Sequence, residues 1–342
     1  MPNTSVCFKA IPNGPATDDT FEVKHDVAFT VETAEVQAQH VLVKLQWISL
    51  DPYMRGRMRS AEVKSYSAPF AIGQPMVGHA LGEVVKSASD KYKVGDVVLG
   101  FFKWQQYAMV HEAAITRVLN APGAPALTPE TYLGLLGMPS FTAYVGLVAI
   151  GKPKEGETLF VSAAAGAVGQ VVGQIGKRLG LRVVGSAGTD DKVDYLISKL
   201  GFDAAFNYNK HNILEKLTEL CPNGIDIYFE NVGGETLEAA ITLANNHARF
   251  PVCGMISQYH GANYHVKNLM QIIQKRILIQ GFLQSDWLPT HGNEFMEWMF
   301  AHALDGKFVY ESTIAEGIES IPRAFIGMME GKNTGKQLVK FF

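Results

Sequence analysis

The pattern of hydrophobic and polar positions changes about a third of the way along the chain. In the first third, short segments rich in Val, Phe and other aromatic residues are separated by Gly and Pro, which is typical of strands joined by turns. Few positions there follow a helical period. Strands are predicted at Val6–Ile11, Phe21–Phe29, His40–Leu50, Gly78–Lys86 and Val97–Val110. We therefore expect a β-barrel-like first domain.

A stiff linker rich in Ala and Pro, at 121–125, precedes a different pattern. Apolar runs now alternate with amphipathic stretches, which indicates a doubly wound parallel sheet. The predicted strands are Thr158–Ala163, Arg182–Ser186, Ala204–Tyr208, Asp226–Asn231, Phe250–Met255 and Ile277–Phe282, and the helices between them include Gly166–Leu179 and Asp190–Leu200.

The last segment, Glu311–Phe342, predicts a helix near Ile318–Met329 and a short strand at Gln337–Phe341. We expect this tail to return to the first domain. The predicted division is therefore 1–130, 131–312 and 313–342. A length of 342 residues agrees with two domains.

Charge and composition exclude several classes of function. The net charge is −3 and no long basic run is present, so a nucleic-acid partner is not expected. The cluster of Arg55, Arg57 and Arg59 is interpreted first as a solvated loop face and second as an anion-attracting rim.

Targeting and membrane signals are also missing from the pattern. The N-terminal residues lack the features of a signal peptide. The uncharged stretches Tyr132–Gly151 and Thr158–Gly176 contain too many Gly and polar residues for membrane spans and are predicted to be buried helices. Three unpaired cysteines, Cys7, Cys221 and Cys253, favour a reducing cytoplasm.

The first chemical signal is a run of small residues between a predicted strand and helix, Ala163-x-x-Gly166-x-x-Gly169. A dinucleotide pyrophosphate needs close backbone approach and free N–H groups at a helix N-terminus. The motif alone is weak, since a Gly- and Ala-rich helix packed on a sheet has the same pattern. Its position at the start of a βαβ unit favours dinucleotide binding.

The second strand of this unit distinguishes between the two nicotinamide cofactors. NAD-binding proteins place an acid about 20 residues after the loop, on the ribose hydroxyl. The strand ending at Gly188 has no acid, and Asp190 and Asp191 are interpreted as caps of the next helix. Lys192 suits a 2′-phosphate, although it could also be an ordinary exposed lysine. NADPH is therefore favoured.

A catalytic zinc needs about three Cys, His or acidic ligands. No cysteine lies between Cys7 and Cys221, and His79 is the one suggestive residue in the first domain, so no metal is expected. Without a metal, another group must stabilise negative charge. Tyr259, past the carboxyl end of a predicted strand, and Tyr53, in a loop of the first domain, are the candidates, although each could be structural.

Taken together, several segments give the chain a resemblance to the medium-chain dehydrogenase/reductase superfamily. Within it the chain resembles the zinc-free alkenal/one reductases, which include leukotriene B4 12-hydroxydehydrogenase/prostaglandin 13-reductase and plant double-bond reductases. The segments are Asp51–Arg55, Tyr92–Val97, Gly137–Tyr144, Ala163–Gly169, Gly201–Tyr208, Glu230–Gly234, Cys253–Tyr259 and Asn333–Lys336.

This resemblance implies a GroES-like substrate and catalytic domain, a Rossmann domain that binds NADPH, and a homodimer, often formed through an edge strand such as Ile277–Phe282. It places Tyr53 and Tyr259 at the substrate. The cofactor residues it implies are Gly166, Ala167 and Val168 at the pyrophosphate, Lys192 and Tyr208 at the 2′-phosphate, Gly188, Asn231, Cys253, Gly254 and Tyr259 along the adenosine and nicotinamide, and Phe282, Leu283 and Asn333 at the nicotinamide end. His79 departs from the pattern of these relatives.

The activity implied is reduction of the C=C bond of α,β-unsaturated aldehydes and ketones. The Tyr259 hydroxyl, protonated at neutral pH, would stabilise the enolate oxygen, helped by a ribose hydroxyl of the cofactor. An NADPH quinone oxidoreductase, a non-catalytic NADPH-binding protein and a zinc alcohol dehydrogenase remain alternatives. Activity assays separate the first two from a reductase, and metal analysis separates the third.

Overall fold

The structure is a computed structural model that describes residues 2–123, 127–261 and 264–341. The chain divides into two units. Unit 1 contains Met1–Leu133 and Thr313–Phe342, and unit 2 contains Gly134–Ser312. Part of the predicted linker, at 124–125, and part of the loop after Tyr259, at 262–263, lie outside the described residues.

The N-terminal part of unit 1 consists mainly of strands. They are β1 (Asn3–Phe8), β2 (Phe21–Asp26), β3 (His40–Ser49), β4 (Val77–Ser87), β5 (Val97–Lys103), β6 (Tyr107–His111) and β7 (Ile115–Val118), with short helices α1 (Met54–Arg57) and α2 (Pro129–Leu133). The single strand predicted at Val97–Val110 is wrong. It divides into β5 and β6 because β5 pairs with β4 whereas β6 pairs with β3.

Unit 2 contains a parallel sheet. Its strands are β8 (Thr158–Val161), β9 (Arg182–Ala187), β10 (Ala204–Asn207), β11 (Ile225–Phe229), β12 (Ala244–Val252) and β13 (Leu278–Gly281). Their order within the described residues is β10-β9-β8-β11-β12-β13, with parallel pairing throughout. This is the strand order of a doubly wound Rossmann sheet, and it confirms the predicted fold class.

The helices of unit 2 lie between these strands along the chain. They are α3 (Met138–Tyr144), α4 (Gly169–Arg178), α5 (Asp190–Ser198), α6 (Ile213–Leu220), α7 (Gly234–Leu243), α8 (Met270–Lys275) and α9 (Leu288–Leu304). A π-helical segment, Val145–Gly151, continues directly from α3. Thr158–Gly176, predicted as a buried helix, is instead β8 followed by part of α4.

Consecutive apolar residues form the centre of the parallel sheet because both of its faces are covered. All four residues of β8 are buried. Phe160 stacks on Tyr228 with ring centroids 5.0 Å apart, and Tyr228 meets Phe250 edge-on at 5.3 Å. Across the described residues, none of the helices is long and apolar enough to cross a membrane.

The C-terminal part of the chain contains β14 (Ser312–Glu316), α10 (Ile321–Met329) and β15 (Lys336–Lys340), which belong to unit 1 from Thr313 onward. β15 pairs antiparallel with β3, so that Val339 lies opposite Ile48. The described sheet has the order β14-β15-β3-β4-β5-β7, with β6 added on β3. At the start of β15 the buried Lys336 ammonium donates to Asp51 Oδ1 over 3.0 Å, which joins the tail to the loop after β3.

Candidate active site

The turn between β8 and α4 brings backbone into close contact at the helix start. Ala163 has a left-handed φ of 47°. A Cβ on Gly169 would lie 2.6 Å from the Ala163 carbonyl oxygen and 2.7 Å from the Ala164 Cα, so only glycine fits there. Gly166, Ala167 and Val168 are partly exposed. The first N–H groups of α4 donate to carbonyls of this turn, including Gln170 to Gly166 over 3.1 Å, and the positive end of the helix dipole favours an anion there.

The strand that follows α4, β9, ends beside a tyrosine hydroxyl. A Cβ on Gly188 would lie 2.8 Å from the Tyr208 hydroxyl oxygen. The Asn209 amide donates to the Gly188 carbonyl over 2.8 Å. Lys192, in the first turn of α5, is half-buried, and burial lowers the pKa of its ammonium. This strand end presents a hydroxyl and a cation.

The prediction that Asp190 and Asp191 cap α5 is wrong. Thr189 is the N-cap, and its hydroxyl accepts from the Lys192 N–H over 3.4 Å. Asp190, in the first helical turn, is bonded to Lys210 and accepts from the Asn207 amide over 2.8 Å. These two partners lower the pKa of the Asp190 carboxyl, Lys210 being the larger cause.

A polar network joins the ends of the central strands β8 and β11. Asn231 donates from its backbone N–H to Ser162 Oγ over 3.0 Å and from Nδ2 to the Ser162 carbonyl over 2.8 Å. These neighbouring strands begin the two halves of the sheet, and their carboxyl ends mark the crevice where open α/β sheets bind ligands. The network fixes Asn231 at that crevice.

Glu230 is a functional residue candidate that the sequence reasoning did not single out. Its Oε1 accepts from the Tyr228 hydroxyl (2.7 Å), the Val232 N–H (2.6 Å) and the Gly233 N–H (2.8 Å). It is fully buried, and burial raises the pKa of its carboxyl. The available signal was an acid directly after a long apolar strand and before Asn-Val-Gly-Gly.

The segment after β12 folds back so that the Tyr259 hydroxyl lies near the carboxyl end of β12. A Cβ on Gly254 would lie 2.7 Å from that hydroxyl oxygen. Two backbone bonds to the Glu230 carbonyl, from Cys253 (2.9 Å) and Gly254 (3.2 Å), hold the segment. Tyr259 is partly exposed and follows a short 3-10 turn, Ile256–Gln258. Desolvation raises the pKa of the Cys253 thiol to about 12, so the thiol stays protonated.

Phe282 and Leu283 follow the edge strand β13. The Phe282 ring meets Phe229 edge-on at 6.4 Å. A Cβ on Gly146, in the π-helical segment, would lie 2.8 Å from Phe282 Cζ. Leu283 begins the 3-10 turn Gln284–Trp287. Both residues are partly exposed.

In unit 1, Tyr53 directly precedes α1. Its phenol lies near the Arg57 guanidinium, whose charge acts to lower the pKa of Tyr53. Burial, followed by the charge of Asp51, raises the pKa of Tyr53 above its usual range, so it stays protonated. Asn333 also belongs to unit 1, where its amide donates to the Gly335 carbonyl over 2.7 Å. The other predicted site residues belong to unit 2.

The arginine cluster is not the solvated face that was predicted first. Arg57 is 8% exposed and donates to the carbonyls of Ala68 (2.9 Å) and Val77 (3.3 Å). Arg55 and Arg59 likewise bind backbone carbonyls, including those of Pro12 and Val63. The three guanidinium groups thus fasten neighbouring loops.

Within the described residues, no group of three or more His, Cys, Asp or Glu is placed to hold a metal ion. His79 lies on β4, where the Phe101 ring meets its imidazole edge-on at 5.4 Å. No hydrogen bond from a described residue reaches that ring.

Two protein-family models match the chain. Residues 5–118 match a model described as the N-terminal domain of oxidoreductase, and residues 167–301 match one described as zinc-binding dehydrogenase. These matches fall in unit 1 and unit 2 respectively. They agree with a GroES-like domain followed by a Rossmann domain.

Similarity to characterised proteins covers nearly the whole chain. The NADP-dependent 2-alkenal reductase of Nicotiana tabacum is 42% identical, over 98% of this chain and 97% of the relative. The NADPH-dependent curcumin reductase of Escherichia coli strain K12 is 40% identical, over 96% and 94%. The crystal structure of CurA from Vibrio vulnificus in complex with NADPH has a TM-score of 0.89 at 38% identity, over 99% of each chain.

The folds, the strand order and these full-length similarities agree with one another. They confirm the resemblance inferred from the sequence and the two-domain fold class that it implied. The chain belongs to the alkenal/one reductase group of the medium-chain dehydrogenase/reductase family, a family of oxidoreductases.

Proposed function

We propose that this protein reduces the C=C bond of α,β-unsaturated aldehydes and ketones with NADPH as the hydride donor. The observation that carries the proposal is the position of the Tyr259 hydroxyl. It lies against the backbone of Gly254, past the carboxyl end of a parallel strand where α/β sheets bind ligands. A hydroxyl donor there suits a carbonyl that gains negative charge during reduction.

The residues of unit 2 fit a phosphorylated dinucleotide. The close backbone packing at Gly169 fixes the turn at the start of α4, where the partly exposed Gly166, Ala167 and Val168 would meet the pyrophosphate. Lys192 and Tyr208 would hold the 2′-phosphate by a charge and a hydroxyl. The NADP-dependent relative in tobacco and the CurA complex with NADPH support the same cofactor.

The remaining assignments follow the strand ends of the sheet. We assign Gly188 to the adenosine side and Asn231, Cys253, Gly254 and Tyr259 to the nicotinamide side. Phe282 and Leu283 would pack at the nicotinamide end.

When bound, NADPH supplies the hydride that forms the new bond at the β-carbon of the substrate. The electron pair of the C=C bond then moves toward the carbonyl, and an enolate results. The Tyr259 hydroxyl donates a hydrogen bond to the enolate oxygen. A proton from water, or from Tyr259 that then regains one from water, completes the new C–H bond at the α-carbon. Tyr53, which burial keeps protonated, would orient the substrate.

A substrate panel tests the proposal. The purified protein is assayed with an enal, an enone and a quinone, each with NADPH and with NADH. We expect turnover of the enal and the enone, with the saturated carbonyl compound as the product by mass spectrometry. Turnover of the quinone alone would assign a quinone oxidoreductase instead. Binding of NADPH without turnover of any substrate would indicate a non-catalytic protein.

We also propose that two copies of the chain pair through the edge strand β13. An edge strand has free N–H and C=O groups that can extend the sheet into a second copy. Apolar side chains are exposed on this strand and on α8, which precedes it: Leu269 (52% exposed), Met270 (66%), Ile273 (70%) and Leu278 (49%). A second copy would cover this surface.

A further inference from the structure

The end of β9, which carries the candidate 2′-phosphate groups, also carries an acid. Asp190 lies in the first turn of α5, two residues after Gly188 and two before Lys192. NAD-binding proteins use an acid near the end of this strand to hold a ribose hydroxyl. An unpaired carboxylate in this region would repel a phosphate, since both are negative. The contacts of Asp190 therefore bear on the choice of cofactor.

Both carboxylate oxygens of Asp190 are hydrogen-bonded within the protein. Oδ1 accepts from the Asn207 amide over 2.8 Å, and Oδ2 accepts from the Lys210 ammonium. These partners lower the pKa of the Asp190 carboxyl, so that it is charged at neutral pH. A ribose hydroxyl would have to compete with an amide and an ammonium for this carboxylate.

The two partners of this carboxylate come from the turn after β10, residues 207–210. The Tyr208 N–H donates to the Ala187 carbonyl over 3.1 Å, and the Asn209 amide donates to the Gly188 carbonyl over 2.8 Å. These bonds fasten the turn to the end of β9. One turn thus supplies both the Tyr208 hydroxyl proposed for the 2′-phosphate and the cation that neutralises the nearby acid.

The ion pair is exposed, with 61% of the Lys210 side chain and 59% of the Asp190 side chain accessible to solvent. Exposed ion pairs contribute little to the stability of a fold. Without the ammonium, however, the carboxylate would act on a nearby phosphate with its full charge. We therefore expect the pair to affect binding of the cofactor more than it affects folding.

We propose that Lys210 and Asn207 help to select NADPH over NADH by holding Asp190. The Lys210 ammonium neutralises a carboxylate that would otherwise repel the 2′-phosphate and accept from a ribose hydroxyl of NADH. The pair is a specificity determinant, distinct from Lys192 and Tyr208, which would contact the phosphate. This inference rests on the proposed function, because it takes the 2′-phosphate to lie at the end of β9.

The test measures the Kd of NADPH and of NADH by isothermal titration calorimetry of the purified protein, without substrate. Lys210→Ala should raise the Kd of NADPH by about 2- to 10-fold, because a solvent-exposed carboxylate would then repel the phosphate. The Kd of NADH should not rise, because NADH lacks that phosphate. Thermal unfolding of each variant checks that the fold is retained.

A second substitution separates neutralisation of Asp190 from direct contact with the phosphate. Asp190→Asn removes the charge that Lys210 neutralises. In that background, Lys210→Ala should change the Kd of NADPH by less than about twofold, since the two effects act through one pair. If Lys210→Ala weakened NADPH equally in both backgrounds, Lys210 would act on the phosphate itself, and the inference would be overturned.

Lys216→Ala is the matched control. The Lys216 ammonium forms an ion pair with Glu219 over 2.7 Å on α6, in unit 2 but away from the end of β9. This variant should bind both cofactors like the wild type. An equal rise in the Kd of NADPH for Lys216→Ala and Lys210→Ala would contradict a specific role of Lys210.

Two further results would overturn the inference while the proposed function stands: an unchanged Kd of NADPH in Lys210→Ala, or an equal rise in the Kd of both cofactors. Lys192→Ala, titrated in the same way, tests the proposed cofactor site separately. If Lys192→Ala also bound NADPH like the wild type, the 2′-phosphate would not lie at this strand end, and the proposed assignment would fail first.

Discussion

At the scale of single residues, the proposed reaction depends on where the Tyr259 hydroxyl lies. Tyr259 is one of 12 tyrosines, and its residue type alone does not distinguish it from the others. Its position does, because Gly254 lacks a side chain and the Tyr259 hydroxyl occupies the space that one would take. The backbone bonds from Cys253 and Gly254 to Glu230 hold that segment in place. The hydroxyl is thus positioned before any substrate binds.

We expect Tyr259→Phe to lower kcat on an enone by about 10²- to 10³-fold, the usual effect of losing one donor to a developing oxyanion. Steady-state kinetics with NADPH measures this. Tyr264→Phe is the control, since Tyr264 lies in the same loop region and is 38% exposed. Unchanged turnover in Tyr259→Phe would remove the proposed role of its hydroxyl.

Cofactor choice also depends on single residues. Lys192→Ala should raise KM for NADPH by about 10- to 100-fold and leave KM for NADH nearly unchanged, because a charge-assisted bond to a phosphate is worth about 1.5 to 3 kcal/mol. Lys199→Ala, at the other end of α5 and exposed, is the matched control. If both cofactors were affected equally, Lys192 would have no specific contact with the 2′-phosphate.

At the scale of elements, α4 is packed so closely on the sheet that its glycines have no room for a side chain. A Cβ on Gly173 would lie 2.0 Å from Phe202 Cζ, and one on Gly176 would lie 2.7 Å from Leu159 Cδ2. The contact at Gly176 sets the distance between α4 and β8. The candidate pyrophosphate site therefore depends on packing several residues away from it.

Gly173→Ala should lower the free energy of unfolding by about 1 to 3 kcal/mol, since an added methyl in a filled core forces neighbours apart. Gly292→Ala is the control, because Gly292 also lies inside a helix of unit 2. A Cβ on Gly292 would lie 3.6 Å from its nearest neighbour, Leu288 Cδ2, which is an ordinary contact. It should be neutral or stabilising by up to about 1 kcal/mol. Chemical denaturation measures both. Equal changes in the free energy of unfolding would mean that helix propensity, and not crowding at Gly173, determines the effect.

The order of elements was predictable from the sequence, and several details were not. Buried parallel strands such as β8 are continuous apolar runs, so the hydrophobic pattern was sufficient to find them. The break between β5 and β6 was missed because a change of pairing partner, without Gly or Pro, separates them. Thr189 was overlooked as the N-cap because the adjacent Asp190 and Asp191 are equally good capping residues.

The candidate site was predictable only in part for a similar reason. Turn chemistry identified Gly166 and Gly169, since a close backbone approach restricts the residue type. The Glu230 network joins Tyr228 to the start of α7, and its signal, an acid between an apolar strand and Asn-Val-Gly-Gly, was overlooked. The role of the arginine cluster was misjudged because the acceptors, backbone carbonyls of distant loops, are invisible in the sequence.

At the scale of the whole molecule, exposed apolar side chains are unevenly distributed. Single exposed apolar residues are ordinary on protein surfaces, whereas a contiguous group indicates an interaction. The helix α8 contains Met270 and Ile273, and Leu269 directly precedes it. The edge strand β13 begins at Leu278, three residues after that helix ends. Both features, an apolar surface and an unpaired strand edge, belong to the same short region of unit 2.

The proposed dimer can be tested by placing a charge in this region. Sedimentation equilibrium should find a dimer for the wild type, and Ile273→Glu should weaken association about tenfold or more, since a carboxylate would be buried in an apolar interface. Val27→Glu is the control, because Val27 is 82% exposed but belongs to unit 1. A wild-type monomer at micromolar concentration, or equal weakening by both substitutions, would contradict pairing through β13. If Ile273→Glu yields a monomer that still reduces an enone, each copy contains a complete site.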